Sequence, residues 1–122
     1  DFTYIDDIVE GIFKLIDKNP KLNDNFDFIK LKPSNSWAPY RIFNIGNSKP
    51  TPLMDYINAI ENSLGKKAKI NFEKMQPGDV QATSADTKLL ENWISFKPNT
   101  SINEGIDKFV SWYLKYYDIT RD

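Results

Sequence analysis

Apolar residues near the start of the chain recur at the spacing of one helical face. The stripe consists of Ile5, Ile8, Val9, Ile12, Phe13 and Ile16. Asp6 or Asp7 is suited to cap the N-terminus of this helix, and Glu10 follows Asp7 at the spacing of a capping box. Asn19-Pro20 ends the predicted helix, and the β-prone residues 2–4 predict a short strand before it.

A strand followed directly by a helix is predicted in the middle of the chain. Residues 40–45 form a compact β-prone run that ends at Gly46-Asn47, and this succession is typical of a parallel sheet. Thr51 is suited to cap the helix, Pro52 suits its first position, and Gly65 supplies a left-handed stop. The apolar face of this helix consists of Leu53, Tyr56, Ile57, Ile60 and Leu64.

The second half of the chain contains short elements and turns. Apolar and polar residues alternate over 68–74, which predicts a half-buried strand. Residues 76–79 are Gln-Pro-Gly-Asp, a composition that fits a type II turn. Asp86 is suited to cap a short helix, and Ser101 forms a capping box with Glu104 for the last helix. Because no repeat or linker interrupts it, the range 1–122 is predicted to be a single region.

Composition indicates a folded chain and excludes several kinds of chemistry. The 122 residues are 40% hydrophobic and 27% charged, which favours one domain with a modest core. Cysteine and histidine are absent, so disulfides, thiolate sites and Ser-His-Asp catalysis are excluded. The formal charge of -1 gives no excess of positive charge with which to bind nucleic acid or an anionic membrane. With no apolar run of membrane length and no signal peptide, a cytoplasmic protein is expected.

One carboxylate stands out as a candidate ligand-binding group. Asp79 follows Pro77-Gly78 directly, so a rigid turn fixes its position. A carboxylate held in this way can accept two hydrogen bonds from the hydroxyls of a ribose or another sugar diol. The alternative interpretation is a solvated loop with an ordinary aspartate.

Other candidate motifs have structural explanations. Asp6-Asp7 can act as an acid/base pair or hold a divalent cation, but helix capping accounts for both carboxylates. Gly46-Asn47 has one glycine where the dinucleotide fingerprint has three, which favours a connecting loop. The aromatic side chains of the last helix lack a basic face beside them, so packing is preferred to base stacking; they are Phe109, Trp112, Tyr113, Tyr116 and Tyr117. The residues alone assign no catalytic, cofactor-binding or metal-binding role.

Four segments, taken in order, resemble extended short-chain dehydrogenase/reductases of the nucleotide-sugar epimerase family. They are the Asp-Phe-Thr-Tyr-Ile-Asp-Asp run that opens the chain, residues 40–47, residues 75–86 and the helix start at 100–106. The Met-Gln-Pro-Gly-Asp-Val run over 75–80 is most similar to the loop of UDP-glucuronate 4-epimerases.

The resemblance implies an α/β fold, here a mixed α+β fragment. This fragment would be the C-terminal substrate-binding portion of a Rossmann-type enzyme, without its N-terminal NAD-binding half. It implies that Asp79 lies near the nucleotide ribose and that Gln76 stands where many relatives have an arginine for the diphosphate. Tyr4 and Asp7 match the family pattern with structural roles near the pocket wall.

The implied activity is that of an isomerase, a UDP-sugar 4-epimerase of polysaccharide biosynthesis. NAD, bound by the missing half, would take a hydride from C4 of the sugar and return it to the other face. The fragment would bind the UDP-sugar substrate without holding NAD and without turnover of its own.

Two alternatives stay open: a nucleotide-sugar dehydratase or reductase of the same superfamily, and a stand-alone interaction domain without catalysis. Because the chain begins with Asp1 rather than methionine, a piece of a longer protein is expected. The neighbours of the strand over 40–45 would then lie in the missing half, so its exposed edge favours self-association. The parent enzyme is expected to be a homodimer.

Overall fold

The computed structural model describes residues 1–120, and the regular secondary structure in this range is helical. The helices are α1 (Ile5–Ile16), α2 (Leu53–Leu64), α3 (Lys88–Ile94) and α4 (Ile102–Tyr116). α1 packs against α3, and α2 packs against α4. No helix in this range is long and apolar enough to cross a lipid bilayer.

Two of the predicted helix ends are confirmed. The Ser101 hydroxyl accepts a hydrogen bond from the Glu104 backbone amide at 3.3 Å, so Ser101 caps α4. Gly65 ends α2 in the left-handed conformation, with φ at +71°. Glycine suits this position because a Cβ is disfavoured at positive φ.

Two predicted caps are wrong. The N-cap positions of α1 and α2 belong to Tyr4 and Pro52, and neither side chain makes a capping hydrogen bond. The residues predicted to cap these two helices were Asp6 or Asp7 and Thr51. At α3 the N-cap position belongs to Thr87, but the Asp86 carboxylate accepts from the Lys88 backbone amide at 3.2 Å and so binds an amide of the first turn, as predicted. The end of α1 also differs from the prediction, because the helix stops at Ile16, before Asn19-Pro20.

The predicted strands over 2–4, 40–45 and 68–74 do not pair in ladders within residues 1–120. The bridge found in this range is isolated and joins Asn35 to Arg41. Residues 68–74 are exposed rather than half-buried, so their predicted burial is wrong as well. A strand is stable only when a neighbour satisfies its backbone and one face packs on a core. The described residues provide no such neighbour.

The buried core is small and lies mainly between α2 and α4. Ala59 packs there with Ile106 and Val110. The half-buried side chains around these three are Tyr56, Ile60, Leu64, Ile102 and Leu114. Leu90 and Ile94 of α3 are buried on the side of the molecule where α3 meets α1.

Glu61 ties the end of α2 to the segment that follows. Its carboxylate accepts hydrogen bonds from Lys67 Nζ at 2.6 Å and from the Ala68 backbone amide at 2.8 Å. These two bonds, the one from Lys67 first, lower the pKa of Glu61 below its ordinary value of 4.5. The interaction fixes the point at which the exposed stretch over 69–82 leaves the helical core.

Leu90→Ala is expected to destabilise the protein by about 2–5 kcal/mol, because a fully buried leucine leaves a cavity when it is truncated. Its neighbour Leu89 provides a matched control, since Leu89 is 43% exposed and Leu90 is 0% exposed. Leu89→Ala should cost less than about 1 kcal/mol. Urea unfolding followed by circular dichroism measures both free energies, and equal losses would contradict the placement of Leu90 in the core.

Acid should weaken the attachment made by Glu61. Because the pKa of Glu61 is lowered in the folded protein, its stabilisation is complete above the unfolded value of about 4.5 and is lost as the pH falls through the folded value. Urea midpoints measured across this range should fall more steeply for the wild type than for Glu61→Gln. Parallel pH profiles for the two proteins would contradict this linkage.

Candidate functional site

The turn that carries the predicted binding residues forms as expected. The Asp79 backbone amide donates to the Gln76 carbonyl at 3.2 Å, and Gly78 has φ at +97°. This is the geometry of a type II turn, in which the third residue needs positive φ. Gln76 and Asp79 are both exposed, and neither lines the two clefts described below. The structure therefore holds the two residues on one turn without joining them to a cleft.

An open cleft lies at the carboxyl end of the run over 42–45. Its walls are residues 43–46, residues 83–85, Asp1 and Thr3. A Cβ on Gly46 would come within 2.9 Å of the Ala85 Cβ, so the approach of the two segments requires glycine. We take this cleft as the candidate site because, in the α/β fold that the resemblance implies, ligands bind outside the carboxyl ends of the strands.

Asp79 lies close to this cleft along the chain. It precedes Thr83 by four residues, a distance that an extended chain covers in about 14 Å. The Asp79 Cα thus lies no more than about 14 Å from the Thr83 Cα in the cleft wall.

A polar junction, formed by Asp1, Thr3, Asn47, Ser48 and Ala85, holds the cleft together. The Asp1 carboxylate accepts from the backbone amides of Ser48 at 3.1 Å and of Ala85 at 2.8 Å. The Ser48 hydroxyl donates to the Ala85 carbonyl at 2.8 Å, and Thr3 Oγ1 accepts from the Asn47 amide at 3.0 Å. The junction fixes the end of the loop that carries Asp79.

Asp7 connects α1 to the segment before α4. It is buried, and its carboxylate accepts from both the backbone amide and the hydroxyl of Thr100, each at 3.0 Å. Asn47 Nδ2 donates to the Thr100 carbonyl at 3.1 Å, which links this contact to the polar junction. Asp6, by contrast, is exposed. No cluster of acidic side chains suited to a metal ion occurs in the part of the chain that the structure describes.

A second cleft lies between the start of the chain and α4. Aromatic rings dominate its walls, including those of Phe2, Tyr4, Tyr56 and Phe109. Phe2 stacks on Tyr56 with ring centroids 4.1 Å apart. Tyr4 lines this second cleft and not the candidate site at the end of the run over 42–45.

The aromatic side chains along α4 contact one another. The Trp112 and Tyr116 rings stack with centroids 5.3 Å apart, and Tyr113 lies 4.8 Å from Tyr117. All four remain more than a third exposed. They therefore pack against each other at the surface rather than in the core.

The dinucleotide cofactor that the resemblance implies finds no phosphate cradle within residues 1–120. Such a cradle is a glycine-rich turn that opens directly into a helix, whose N-terminal amides bind the pyrophosphate. Gly46 ends the run over 42–45, but α2 begins only at Leu53 with Pro52 at its N-cap. The described residues thus do not fit the pyrophosphate of NAD.

Most of the polar junction escapes prediction from the sequence. Asp1, Thr3, Asn47 and Ser48 are ordinary polar residues in loops, and their partners are distant along the chain. The available signal is Gly46-Asn47 after an apolar run, which indicates a turn where two segments approach closely. That signal locates the cleft but does not identify the groups that hold it.

Curated relatives match nearly the whole chain. Protein CapI of Staphylococcus aureus is 49% identical over 117 residues, which are 96% of this chain and 35% of that protein. A probable UDP-glucuronate 4-epimerase of Rhizobium meliloti is 40% identical over 96% of this chain and 35% of its own length. UDP-glucuronate 4-epimerase 4 of Arabidopsis thaliana is 42% identical over 96% of this chain and 26% of its own length.

This chain thus spans about a quarter to a third of the relatives it matches. The similarity confirms the predicted resemblance to UDP-glucuronate 4-epimerases over nearly all of its residues. No protein-family profile matches the sequence.

One solved structure has the same fold over nearly all of the chain. UDP-glucose 4-epimerase from Bifidobacterium longum, solved in complex with NAD+ and UDP, superposes with a TM-score of 0.71 at 19% sequence identity. The match covers 98% of this chain and 31% of that enzyme. The helices and loops described above therefore have the arrangement of one part of a longer α/β enzyme.

Asp7→Ala is expected to destabilise the protein by about 1–3 kcal/mol, because it leaves the half-buried Thr100 amide without an acceptor. Asp6→Ala is the matched control, since Asp6 is the exposed neighbour in the same helical turn. That variant should stay within about 0.5 kcal/mol of the wild type. Chemical denaturation compares the two, and equal effects would show that helix-end charge, rather than the Thr100 contact, is the role of Asp7.

Proposed function

We propose that this chain is the sugar-nucleotide-binding portion of an NAD-dependent nucleotide-sugar 4-epimerase that interconverts UDP-glucuronate and UDP-galacturonate. The observation that carries the proposal is the identity of about 40% to UDP-glucuronate 4-epimerases over 96% of the chain. The fold shared with a UDP-bound 4-epimerase supports the same assignment.

Within this proposal, Asp79 binds the ribose of the substrate. The type II turn fixes its carboxylate, which is exposed and free to accept hydrogen bonds from the two ribose hydroxyls. A turn is suited to this role because its backbone hydrogen bond limits the movement of the side chain that follows it.

Gln76 is proposed to meet the diphosphate. A glutamine amide donates hydrogen bonds but carries no charge, so it binds a phosphate less strongly than the paired donors of an arginine do. Because Gln76 is neutral, it cannot pair with the negative charges of the substrate. Residues 76–79 contain no positively charged side chain, so the groups that pair with the diphosphate and the uronate carboxylate are proposed to lie outside the turn.

The proposed roles of the two parts of the enzyme depend on the lack of a phosphate cradle in residues 1–120. Because residues 1–120 do not fit the pyrophosphate of NAD, we propose that another part of the enzyme holds the cofactor and supplies the proton-transfer groups. This chain then binds and orients the sugar nucleotide, and the polar junction keeps the loop over 69–85 in register with the cleft. We propose a cytoplasmic location for the whole enzyme.

The test is an assay of the full-length gene product that contains these residues. With UDP-glucuronate and NAD it should form UDP-galacturonate, whereas the 122-residue chain alone should give no product. Formation of a 4-keto-6-deoxy sugar from another nucleotide sugar would instead assign the protein to the dehydratases. Absence of any sugar-nucleotide binding would leave an interaction domain as the function.

Asp79→Asn in the same full-length protein should raise KM for UDP-glucuronate about tenfold with little change in kcat. The reason is that a hydrogen bond to a charged group contributes about 1.5–3 kcal/mol to binding in both the ground state and the transition state. Asp24→Asn, another exposed loop aspartate, is the matched control and should leave KM unchanged. Equal KM values for the two variants would remove Asp79 from the binding site.

A further inference from the structure

A long connection leaves the helical core between α1 and the run over 42–45. It extends from Asp17 to Tyr40 and contains no helix, and its one bridged residue is Asn35. Connections longer than about 12–15 residues without regular structure are uncommon in compact domains, and they are usually either functional or disordered. Hydrogen bonds give this connection a defined shape, which favours a function.

Trp93 of α3 holds the two ends of the connection together. Its indole Nε1 donates to the Lys18 carbonyl at 2.8 Å, and Arg41 Cζ lies 5.7 Å from the centre of the Trp93 ring. Further from the core, the Asn23 amide donates to the Trp37 carbonyl at 3.0 Å. The residues from Asn23 to Trp37 therefore form an Ω-loop, a compact surface loop of about 6–16 residues whose ends lie close together.

An Asx turn shapes the tip of the Ω-loop. The Asp27 carboxylate accepts hydrogen bonds from the backbone amides of Ile29 at 2.8 Å and of Lys30 at 3.2 Å. The Phe26 and Phe28 rings meet edge to face beside this turn, with centroids 5.0 Å apart. These contacts fix the backbone from which the side chains of the tip project.

The tip presents apolar side chains to solvent. Ile29 is 91% exposed, more than any other large apolar side chain in residues 1–120, and Phe28 and Leu31 are each 69% exposed. A single exposed apolar residue is ordinary at a protein surface. Three such neighbours on an ordered loop form a patch, and a patch of this kind marks an interaction site.

Two lysines alternate with these apolar residues. Lys30 and Lys32 are exposed, and neither forms an ion pair within the part of the chain that the structure describes. Residues 28–32 contain no acidic side chain, so the formal charge of -1 over the whole chain hides a local excess of positive charge. The partner of the tip therefore has to accept apolar side chains and ammonium groups close together.

An anionic lipid surface accepts both kinds of group. Apolar side chains enter the boundary of the acyl region, while the long stems of lysines let their ammonium groups stay at the level of the phosphates. Each lysine near such a surface strengthens binding about fivefold. A protein surface that covered the same tip would have to bury the ammonium groups or pair each of them with a carboxylate.

The Ω-loop is attached at the end of α1 that is farther from the candidate site. Asp1 and Thr3 line the cleft there, and α1 begins just after them at Ile5. The connection starts after Ile16, about 17 Å further along the helix axis. A bilayer that binds the tip therefore need not cover the cleft.

We propose that the tip of the Ω-loop, residues 28–32, docks on the surface of a membrane that contains anionic phospholipids. The apolar side chains of the tip anchor the loop, and its two lysines select negatively charged headgroups. This inference goes beyond the proposed function, because it concerns where the protein is held and not which reaction it serves.

The experiment measures co-sedimentation of the full-length gene product with lipid vesicles. The protein should bind vesicles of phosphatidylcholine mixed with phosphatidylglycerol. Binding should fall at least tenfold on vesicles of phosphatidylcholine alone, and also when salt screens the headgroups. Failure to bind the mixed vesicles, or equal binding to both kinds of vesicle, would overturn the proposal.

Ile29→Asp tests the apolar anchor in the same assay. It should lower binding to the mixed vesicles about tenfold, because it replaces an apolar side chain with a charge that the headgroups repel. Leu53→Asp is the matched control, since Leu53 is 64% exposed and begins α2, where an aspartate is well tolerated. Equal losses in the two variants would contradict an anchor at the tip.

The lysines are tested by a double variant, Lys30→Gln with Lys32→Gln. It should lower binding to the mixed vesicles about 25-fold and leave binding to pure phosphatidylcholine unchanged. Lys49→Gln with Lys66→Gln removes two other exposed lysines and should change binding to the mixed vesicles less. A larger loss in this control would place the contact elsewhere on the protein.

None of these readouts uses a sugar nucleotide. A protein that binds the mixed vesicles through the tip but lacks epimerase activity would refute the proposed function and leave the docking surface intact. An active epimerase that does not bind the vesicles would do the reverse, and the tip would then contact a protein instead.

Discussion

The arrangement of the loops depends on buried or half-buried carboxylates that accept backbone amide hydrogen bonds. Asp7 binds Thr100, Asp1 binds Ser48 and Ala85, and Glu61 binds Ala68. Within residues 1–120 there is no sheet to fix the segments between the helices, so these side chains take over the task that ladder hydrogen bonds usually perform. Each is a charge-assisted bond to a backbone group, stronger than a neutral hydrogen bond.

Local signals predicted the features that local physics decides. The apolar period predicted α1, α2 and α4, Gly65 predicted the end of α2, and Pro77-Gly78 predicted the turn that holds Asp79. In each case the residues that determine the geometry lie within a few positions of one another. No distant partner competes for them.

Predictions failed where a residue far away in the sequence decides the local structure. Asp7 has the composition of a capping residue, but Thr100 offers its carboxylate two donors 93 residues away. The runs over 40–45 and 68–74 have strand patterns, but a strand forms only beside another strand, and the pattern contains no information about that neighbour. The polar junction was not predicted for the same reason, because its residues come into contact only in the folded chain.

The sequence distance of the junction contacts has a consequence for the order of folding. The helices close through contacts a few residues apart, whereas the hydrogen bonds of the polar junction join positions 37 to 84 residues apart. Loop closure over such distances costs entropy before any contact compensates for it, so nonlocal structure forms late. The individual helices are therefore expected to form while the loop that carries Asp79 is still open, and their pairing, which is also nonlocal, comes later. The cleft is therefore expected to take shape together with the helical packing, after the local helices have formed.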